Sequence, residues 1–173
     1  KAPLPPRRVA EIARDVCLAL GYAHSRNVIH RDIKPGNILI ASDGRVKLMD
    51  FGISKVLETG AEGLTQAKGT PQYMPPEQIL GREIDGRTDL YALGISMFEM
   101  ATGDRPFKGE NIVDQQLHSP IPDPTTLSPD LPRGLVAIIL RACEKGPSER
   151  FASASDMAAA LASFIDDYED TIA

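Results

Sequence analysis

The stretch His30-Arg31-Asp32-Ile33-Lys34-Pro35-Gly36-Asn37 contains an aspartate, a lysine two residues later and an asparagine five residues later. A carboxylate can orient a hydroxyl group and accept its proton, and an ammonium group can steady a phosphoryl group in transit. Carboxylate and amide oxygens are the ligands that Mg²⁺ prefers. These residue types, so close together in a short loop, indicate phosphoryl transfer as the chemistry of the segment.

A short hairpin is predicted directly after this stretch. The runs 38–40 and 46–48 flank an Asp43-Gly44 pair, which is typical of a tight turn between two antiparallel strands. Asp50-Phe51-Gly52 follows the second run. Because the hairpin joins the two polar segments, it would bring Asp50 and the candidate ligands of the first stretch to one place.

The remaining periodic segments predict helices. An apolar stripe with helical spacing runs through residues 9–20. Residues 89–100 are apolar nearly all round, so that helix is expected inside the core. Residues 135–143 form another apolar helix, and Ser153 is a candidate cap for a last one. The prediction is a mainly α chain with one small β-hairpin, whereas residues 54–77 lack periodicity and indicate a functional loop.

Composition excludes several other classes of protein. Hydrophobic residues make up 42% of the 173 and charged residues 25%, which indicates one globular domain rather than a disordered chain. The net charge of −5 argues against general nucleic-acid binding. No apolar run approaches the roughly 20 residues that span a bilayer, and the start shows no signal-peptide pattern. Cys17 and Cys143 are expected to be buried thiols, so a reducing, cytoplasmic setting fits.

The two motifs in this order resemble the catalytic loop and the magnesium-binding Asp-Phe-Gly loop of protein kinases. Gly69 to Glu77 resembles the peptide-docking loop of that family, with Pro75 in place of the usual alanine. Asp89 to Gly94 resembles the start of the family's central buried helix, with Tyr91 where tryptophan is usual. Arg150 resembles the late arginine that pairs with the glutamate of the docking loop.

The resemblance covers essentially all 173 residues. It implies the large, C-terminal lobe of a eukaryotic-type serine/threonine protein kinase, in a style similar to bacterial receptor-like kinases. Its parts would be the catalytic loop 30–37, the Asp-Phe-Gly loop 50–52 and the activation segment 50–77. The family implies ATP and Mg²⁺ as cofactors and proteins as substrates. Lys34 favours serine/threonine specificity, because tyrosine kinases usually lack a lysine there.

The resemblance also assigns catalytic and ligand-binding roles. Asp32 would be the carboxylate that faces the substrate hydroxyl, and Lys34 would steady the γ-phosphate. Asn37 and Asp50 would hold magnesium. Thr70 would hydrogen-bond near Asp32 and Lys34 and help to shape the serine/threonine site.

Other residues would support the site. His30 would pack on Phe51, which precedes Gly52 in the Asp-Phe-Gly loop. Asp89 would accept hydrogen bonds from the backbone of the catalytic loop. Glu77 and Arg150 would form a buried pair that locks the fold.

A regulatory phosphate is a further expectation. Arg31 and Lys55 would both face a phosphate carried by the activation segment, which would bridge the two cations and order the loop. Thr59, Thr65 and Thr70 are candidate acceptors. Thr65 is favoured, because the hydroxyl of Thr70 is needed at the active site. The alternative is that Arg31 binds only loop carbonyls.

Two parts of a complete kinase have no counterpart in the sequence, a glycine-rich phosphate loop and the strand lysine that pairs with a helix glutamate. We therefore expect the N-terminal lobe to lie outside this chain and the isolated chain to be inactive, with weak ATP binding. The face that would meet that lobe is apolar in this interpretation, so self-association is expected. A membrane anchor could belong to the parent protein outside this chain. Gly36 stands where many kinases that prefer basic peptides carry an acid, so the resemblance does not imply a preference for basic peptide substrates.

Alternatives remain at this stage. Asp32 and Asp50 could each be an ordinary turn acid, and Asp89 a simple helix N-terminal acid. Glu77 and Arg150 could be a solvated pair. The whole chain could be a pseudokinase or scaffold, or a small-molecule phosphotransferase of related fold. The complete set of catalytic residues argues against the pseudokinase, and the docking-loop pattern argues against the phosphotransferase.

Overall fold

The computed structural model describes residues 2–51 and 71–172. Within these ranges the chain has six α-helices and one antiparallel pair of strands, which confirms the prediction of a mainly α fold with one hairpin. The elements are α1 (Pro6–His24), β1 (Ile38–Ile40), β2 (Val46–Leu48), α2 (Pro76–Ile79), α3 (Gly86–Thr102), α4 (Ile112–His118), α5 (Arg133–Ala142) and α6 (Ala154–Ile172). No helix in these ranges is both long enough and apolar enough to cross a membrane.

Helix α1 buries the predicted apolar stripe against α6 and α3. The helix begins at Pro6, where a missing backbone N–H costs nothing. It ends at His24, and Asn27 then adopts a left-handed conformation with φ 59°, which turns the chain toward the catalytic segment. Cys17 is fully buried in this contact, and burial raises the pKa of its thiol to about 12.

Helix α3 lies in the centre of the core, as its apolar composition predicts. It starts three residues before the predicted beginning, because the Asp85 side chain caps it by accepting a hydrogen bond from the Arg87 N–H at 2.8 Å. It ends at Gly103, whose φ of 80° suits glycine. A Cβ at Gly94 would lie 2.6 Å from the Cys143 Sγ, so this glycine lets α3 approach the end of α5 closely.

The last two long helices complete the core. Helix α5 packs on α3, and α6 packs on both α5 and α1. Ser153 caps α6 as predicted, since its Oγ accepts a hydrogen bond from the Asp156 N–H at 3.1 Å. Cys143 is buried beside α3, and desolvation raises the pKa of its thiol to about 12.

The hairpin has the predicted strands and turn. Ile38 pairs with Leu48 and Ile40 with Val46, and Gly44 takes up a φ of 82° in the turn. Leu39 and Ile40 are about half exposed, at 47% and 48%. The hairpin packs on α1 through β2, so its open end lies next to the catalytic segment.

Candidate active site

The catalytic loop is held by one carboxylate at the start of α3. The backbone N–H groups of His30 and Arg31 donate to the two carboxylate oxygens of Asp89, each at 2.8 Å. Asp89 is fully buried and lies in the first turn of its helix, where the helix dipole also favours a negative charge. Asp89 thus contacts the backbone of the catalytic loop, as the kinase resemblance implied.

A third partner of Asp89 was missed by the sequence reasoning. The His24 Nε2 lies 2.8 Å from Asp89 Oδ2, and the His24 side chain is mostly buried at the end of α1. A Cβ at Gly86 would lie 2.6 Å from His24 Nδ1, so glycine at the start of α3 makes room for this ring. No periodic pattern connects residues 65 positions apart, which is why the contact had no sequence signal.

Two residues beside the predicted reacting groups adopt left-handed backbone conformations. Arg31 has φ 66° and Asp50 has φ 54°. For a residue with a Cβ, this conformation costs about 1–2 kcal/mol. At Arg31, the charge-assisted hydrogen bonds from the His30 and Arg31 N–H groups to Asp89 offset that cost, because such bonds are about twice as strong as neutral ones. The loop is therefore shaped by its anchor rather than by local preference.

The His30 ring connects the catalytic loop to the Asp-Phe-Gly loop. Its Nδ1 accepts a hydrogen bond from the Asp32 N–H at 3.3 Å, so its Nε2 donates to the Met49 carbonyl at 2.9 Å. The ring is fully buried, and its centroid lies 4.5 Å from that of Phe51. The contact between His30 and Phe51 that the resemblance implied is present.

Asp32, Lys34 and Asn37 converge on one point. The Lys34 Nζ lies 2.9 Å from Asp32 Oδ2. The Asn37 Nδ2 donates to the Asp32 backbone carbonyl at 2.8 Å and to Asp32 Oδ2 at 3.1 Å. The Asp32 side chain is 22% exposed, so its carboxylate is fixed by donors and still open to solvent.

The two candidate magnesium ligands lie at the open end of the hairpin. Asn37 immediately precedes β1, Asp50 is the second residue after β2, and the Met49 N–H donates to the Asn37 carbonyl at 2.9 Å. The Nδ2 of Asn37 is committed to Asp32, which leaves its Oδ1 as the atom for a cation. Asp50 is exposed. An amide oxygen and a carboxylate form an oxygen-only set, which fits Mg²⁺.

Glu77 and Arg150 form a bidentate buried ion pair. Arg150 Nη1 and Nη2 lie 2.7 and 2.9 Å from the two carboxylate oxygens, and Thr88 Oγ1 donates to Glu77 Oε1 at 3.0 Å. Arg150 also donates to the carbonyls of Glu144, Lys145 and Arg87. Burial raises the pKa of Glu77, but the hydrogen bonds and charge of Arg150 outweigh it and hold that pKa below its usual value. The solvated reading of this pair is therefore wrong.

The described part of the docking loop is also tied to α3. Pro71–Tyr73 forms a 3₁₀ turn that leads into α2. The Tyr73 hydroxyl donates to the Glu99 carboxylate, a contact that the sequence did not predict. Burial and the Glu99 charge both raise the pKa of the Tyr73 phenol. Gly52, Lys55, Thr65 and Thr70 lie outside the described residues, so their predicted positions stay predictions.

Comparison with known proteins agrees with this geometry. The family model described as "Protein kinase domain" matches residues 1–161. The chain is 40% identical over 166 residues to the serine/threonine-protein kinase PknB of Mycolicibacterium smegmatis, covering 92% of this chain and 26% of that protein. It is 38% identical over 168 residues to PknB of Mycobacterium tuberculosis, with 93% and 27% coverage. It is 40% identical over 166 residues to a probable PknB of Corynebacterium glutamicum, with 90% and 26% coverage.

The chain thus spans about a quarter of the length of these curated relatives. The family match covers far more than half of the chain and includes both motif loops, the docking loop and the central helix. The chain therefore belongs to the protein kinase family.

Proposed function

We propose that the protein containing this chain transfers the γ-phosphoryl group of ATP to serine or threonine hydroxyls of proteins. The observation that carries the proposal is the convergence of Lys34 and Asn37 on the Asp32 carboxylate, with distances of 2.9 and 3.1 Å. Three relatives that carry the name serine/threonine-protein kinase support the same activity.

Each residue at this point has a defined task. Asp32 accepts the proton of the substrate hydroxyl as its oxygen attacks, and the Asn37 amide keeps the carboxylate in place. Lys34 moves between the carboxylate and the transferred phosphoryl group, whose charge its ammonium stabilises. Asn37 Oδ1 and Asp50 would hold Mg²⁺, and Thr70 would hydrogen-bond near Asp32 and Lys34. The bond from the γ-phosphorus to the bridging oxygen breaks as the bond to the hydroxyl oxygen forms, ADP leaves, and bound Mg²⁺ would offset the charge on the leaving phosphates.

The test uses the full-length protein with Mg-ATP and a library of serine and threonine peptides. Asp32→Asn removes the proton acceptor and should lower turnover by about 10²–10⁴-fold. Asp43→Asn is the matched control, because Asp43 is an exposed hairpin-turn aspartate whose partner is Arg45 in the same turn. Wild-type turnover in the Asp32→Asn protein would contradict the proposal, whereas loss of turnover in Asp32→Asn alone supports it.

We also propose that a phosphate on Thr65 regulates the site. Arg31 and Lys55 would both face it, and a phosphate adds about −1.5 to −2 charges and three acceptor oxygens that can bridge two cations. Mass spectrometry of the active full-length protein should find phosphate in residues 52–70, and Thr65→Ala should lower turnover where Thr59→Ala does not. An unphosphorylated segment together with full activity of Thr65→Ala would end this proposal and leave the kinase assignment intact.

Exposed apolar side chains on the hairpin support a covering partner. Leu39 and Ile40 of β1 and Met49, which follows β2, are each more than 40% exposed. We propose that a further lobe of the same protein covers these exposed parts of the hairpin, as the kinase resemblance implies. In the isolated chain, the same face would favour self-association. Light scattering at increasing concentration of the chain measures this directly, and a monomer throughout would contradict the self-association.

A further inference from the structure

A buried chain of polar side chains connects α4 to the docking loop. Gln116 of α4 is fully buried. Its Nε2 donates to the backbone carbonyl of Gln72 at 2.7 Å and lies 3.3 Å from that of Pro71. A buried amide that binds two carbonyls of one turn fixes the position of that turn, because losing the donor would leave buried acceptors unsatisfied.

Tyr91 and Lys145 determine which way the Gln116 amide faces. The Lys145 Nζ lies 3.1 Å from the Tyr91 hydroxyl and 2.8 Å from the Gln116 backbone carbonyl. An ammonium group can only donate, so the Tyr91 hydroxyl accepts from it and gives its own proton to Gln116 Oε1. With Oε1 occupied in this way, Nε2 must face the docking loop.

The residue at position 91 makes this arrangement possible. Tryptophan is the usual residue there by the kinase resemblance, and an indole N–H donates but cannot accept. A hydroxyl does both, so it can receive a hydrogen bond from Lys145 and pass one to Gln116. The polar chain thus depends on the hydroxyl of Tyr91.

The Lys145 ammonium lies between aromatic rings and is partly buried beside Tyr91 and Gln116. It is half-buried, with its Nζ 4.8 Å from the ring centroid of Phe107 and 5.6 Å from that of Tyr91. Burial lowers the pKa of Lys145 to about 8. A lysine with a fully solvated ammonium group would keep its ordinary pKa.

We propose that Gln116 is a positioning residue for the peptide-docking loop, and that Tyr91 and Lys145 hold its amide in the orientation the loop requires. The effect on peptide substrates rests on the proposed kinase function. The effect on the loop itself does not, because it follows from the hydrogen bonds to Pro71 and Gln72 alone.

The first experiment measures the loop directly in the full-length protein by hydrogen exchange of residues 71–79. Gln116→Met keeps the length of the side chain and removes its donor, and Tyr91→Phe removes only the hydroxyl. Ser96→Ala is the matched control, since Ser96 is a fully buried residue of α3 whose hydroxyl donates to the Ala92 carbonyl at 2.8 Å, within its own helix. We expect exchange about tenfold faster in Gln116→Met, a smaller rise in Tyr91→Phe, and no change in Ser96→Ala.

The second experiment measures the KM for the best library peptide and the KM for ATP in the same variants. Gln116→Met should raise the peptide KM about tenfold and leave the ATP KM unchanged. A merely structural role would move both constants, or would move neither and lower only the melting temperature, as expected for Ser96→Ala.

The outcomes separate this inference from the kinase proposal. Unchanged exchange in Gln116→Met, or an equal rise in Ser96→Ala, overturns the positioning role. Faster exchange with an unchanged peptide KM overturns its link to substrate docking. A wild-type protein that phosphorylates no peptide overturns the kinase proposal, while the exchange data still decide whether Gln116 positions the loop.

Discussion

The catalytic loop and the docking loop are both irregular segments, but they are fixed in opposite ways. In the catalytic loop, the backbone N–H groups of residues 30 and 31 bind the fixed charge of Asp89. In the docking loop, the anchor is a full ion pair, Glu77 with Arg150, and further hydrogen bonds join the loop to Gln116 and to the Glu99 carboxylate. The charge of Asp89 is thus stabilised by neutral backbone N–H groups of the catalytic loop, whereas the charge of Glu77 is stabilised by the opposite charge of Arg150.

This difference predicts how much a single substitution at each anchor destabilises the loop. Removing the Asp89 charge leaves ordinary backbone N–H groups behind, which an amide or water can partly satisfy. Removing Arg150 leaves a buried carboxylate with no counter-charge, and the desolvation of that carboxylate is then uncompensated. The docking loop should therefore be the more fragile of the two with respect to a single substitution at its anchor.

The largest expected effect is at Arg150. Arg150→Met keeps most of the apolar volume but strips Glu77 of its partner, so the free energy of unfolding should fall by about 3–5 kcal/mol. Denaturant unfolding of the full-length protein measures it. Arg141→Met is the matched control, because Arg141 is exposed and stacks on the Phe151 ring at 4.3 Å, and it should cost about 0.5 kcal/mol or less. If Arg150→Met lowers the free energy of unfolding no more than Arg141→Met does, the docking loop is not the more fragile of the two loops.

The next effect is at Asp89. Asp89→Asn removes the charge from the contacts with the His30 and Arg31 N–H groups and with His24, and it turns an N–H₂ group toward one of these partners, so we expect a loss of about 1.5–3 kcal/mol in the free energy of unfolding. The same unfolding experiment with Asp156→Asn, an exposed acid in the first turn of α6, is the control. If Asp89→Asn destabilises the protein more than Arg150→Met does, the order of fragility is reversed and the comparison is wrong.

The smallest effect is a pH dependence at the docking loop. Burial puts the pKa of Lys145 at about 8 in the folded protein, below its unfolded value, with Arg150 lowering it further and Cys143 and Glu144 raising it. The charged ammonium therefore destabilises the fold below pH 8, and this cost disappears as the pH rises toward about 10.4. Because the Lys145 side chain is only partly buried, solvent screens the effect, and we expect a gain on the order of 1 kcal/mol.

The measurement compares wild type with Lys145→Met between pH 7 and 10. Wild type should gain stability relative to this variant as the pH rises, whereas wild type and Lys108→Met, which alters an exposed lysine, should run in parallel. A constant difference between wild type and Lys145→Met across this range would show that Lys145 is ordinarily solvated.

Sequence reasoning found the reacting groups because they are neighbours in the chain. Asp32, Lys34 and Asn37 lie within six residues, and the hairpin that brings Asp50 to them has a local turn signal. The long helices were predictable for the same reason, since an apolar stripe is a local pattern. Only the kinase resemblance predicted the Glu77–Arg150 contact, because nothing local connects residues 73 positions apart.

What the sequence did not predict lies between distant elements. The contacts of His24 with Asp89 and of Gln116 with the docking loop join side chains with no shared periodicity. Helix α4 was missed as well, because it has seven residues and just one of them, Gln116, is fully buried, so no apolar stripe exists to detect. Such polar links depend on the packed geometry of the core and become visible only with the fold.

The packing of α1 on α6 has a consequence for synthesis. The most extensive partner of α1 begins about 130 residues after α1 ends, although α3 covers part of the stripe sooner. At about 5–20 residues per second, a ribosome needs roughly 6–26 s to make that stretch. During this interval the part of the α1 stripe that α6 covers stays exposed on the nascent chain, and exposed apolar surface of this kind makes a folding intermediate prone to aggregation.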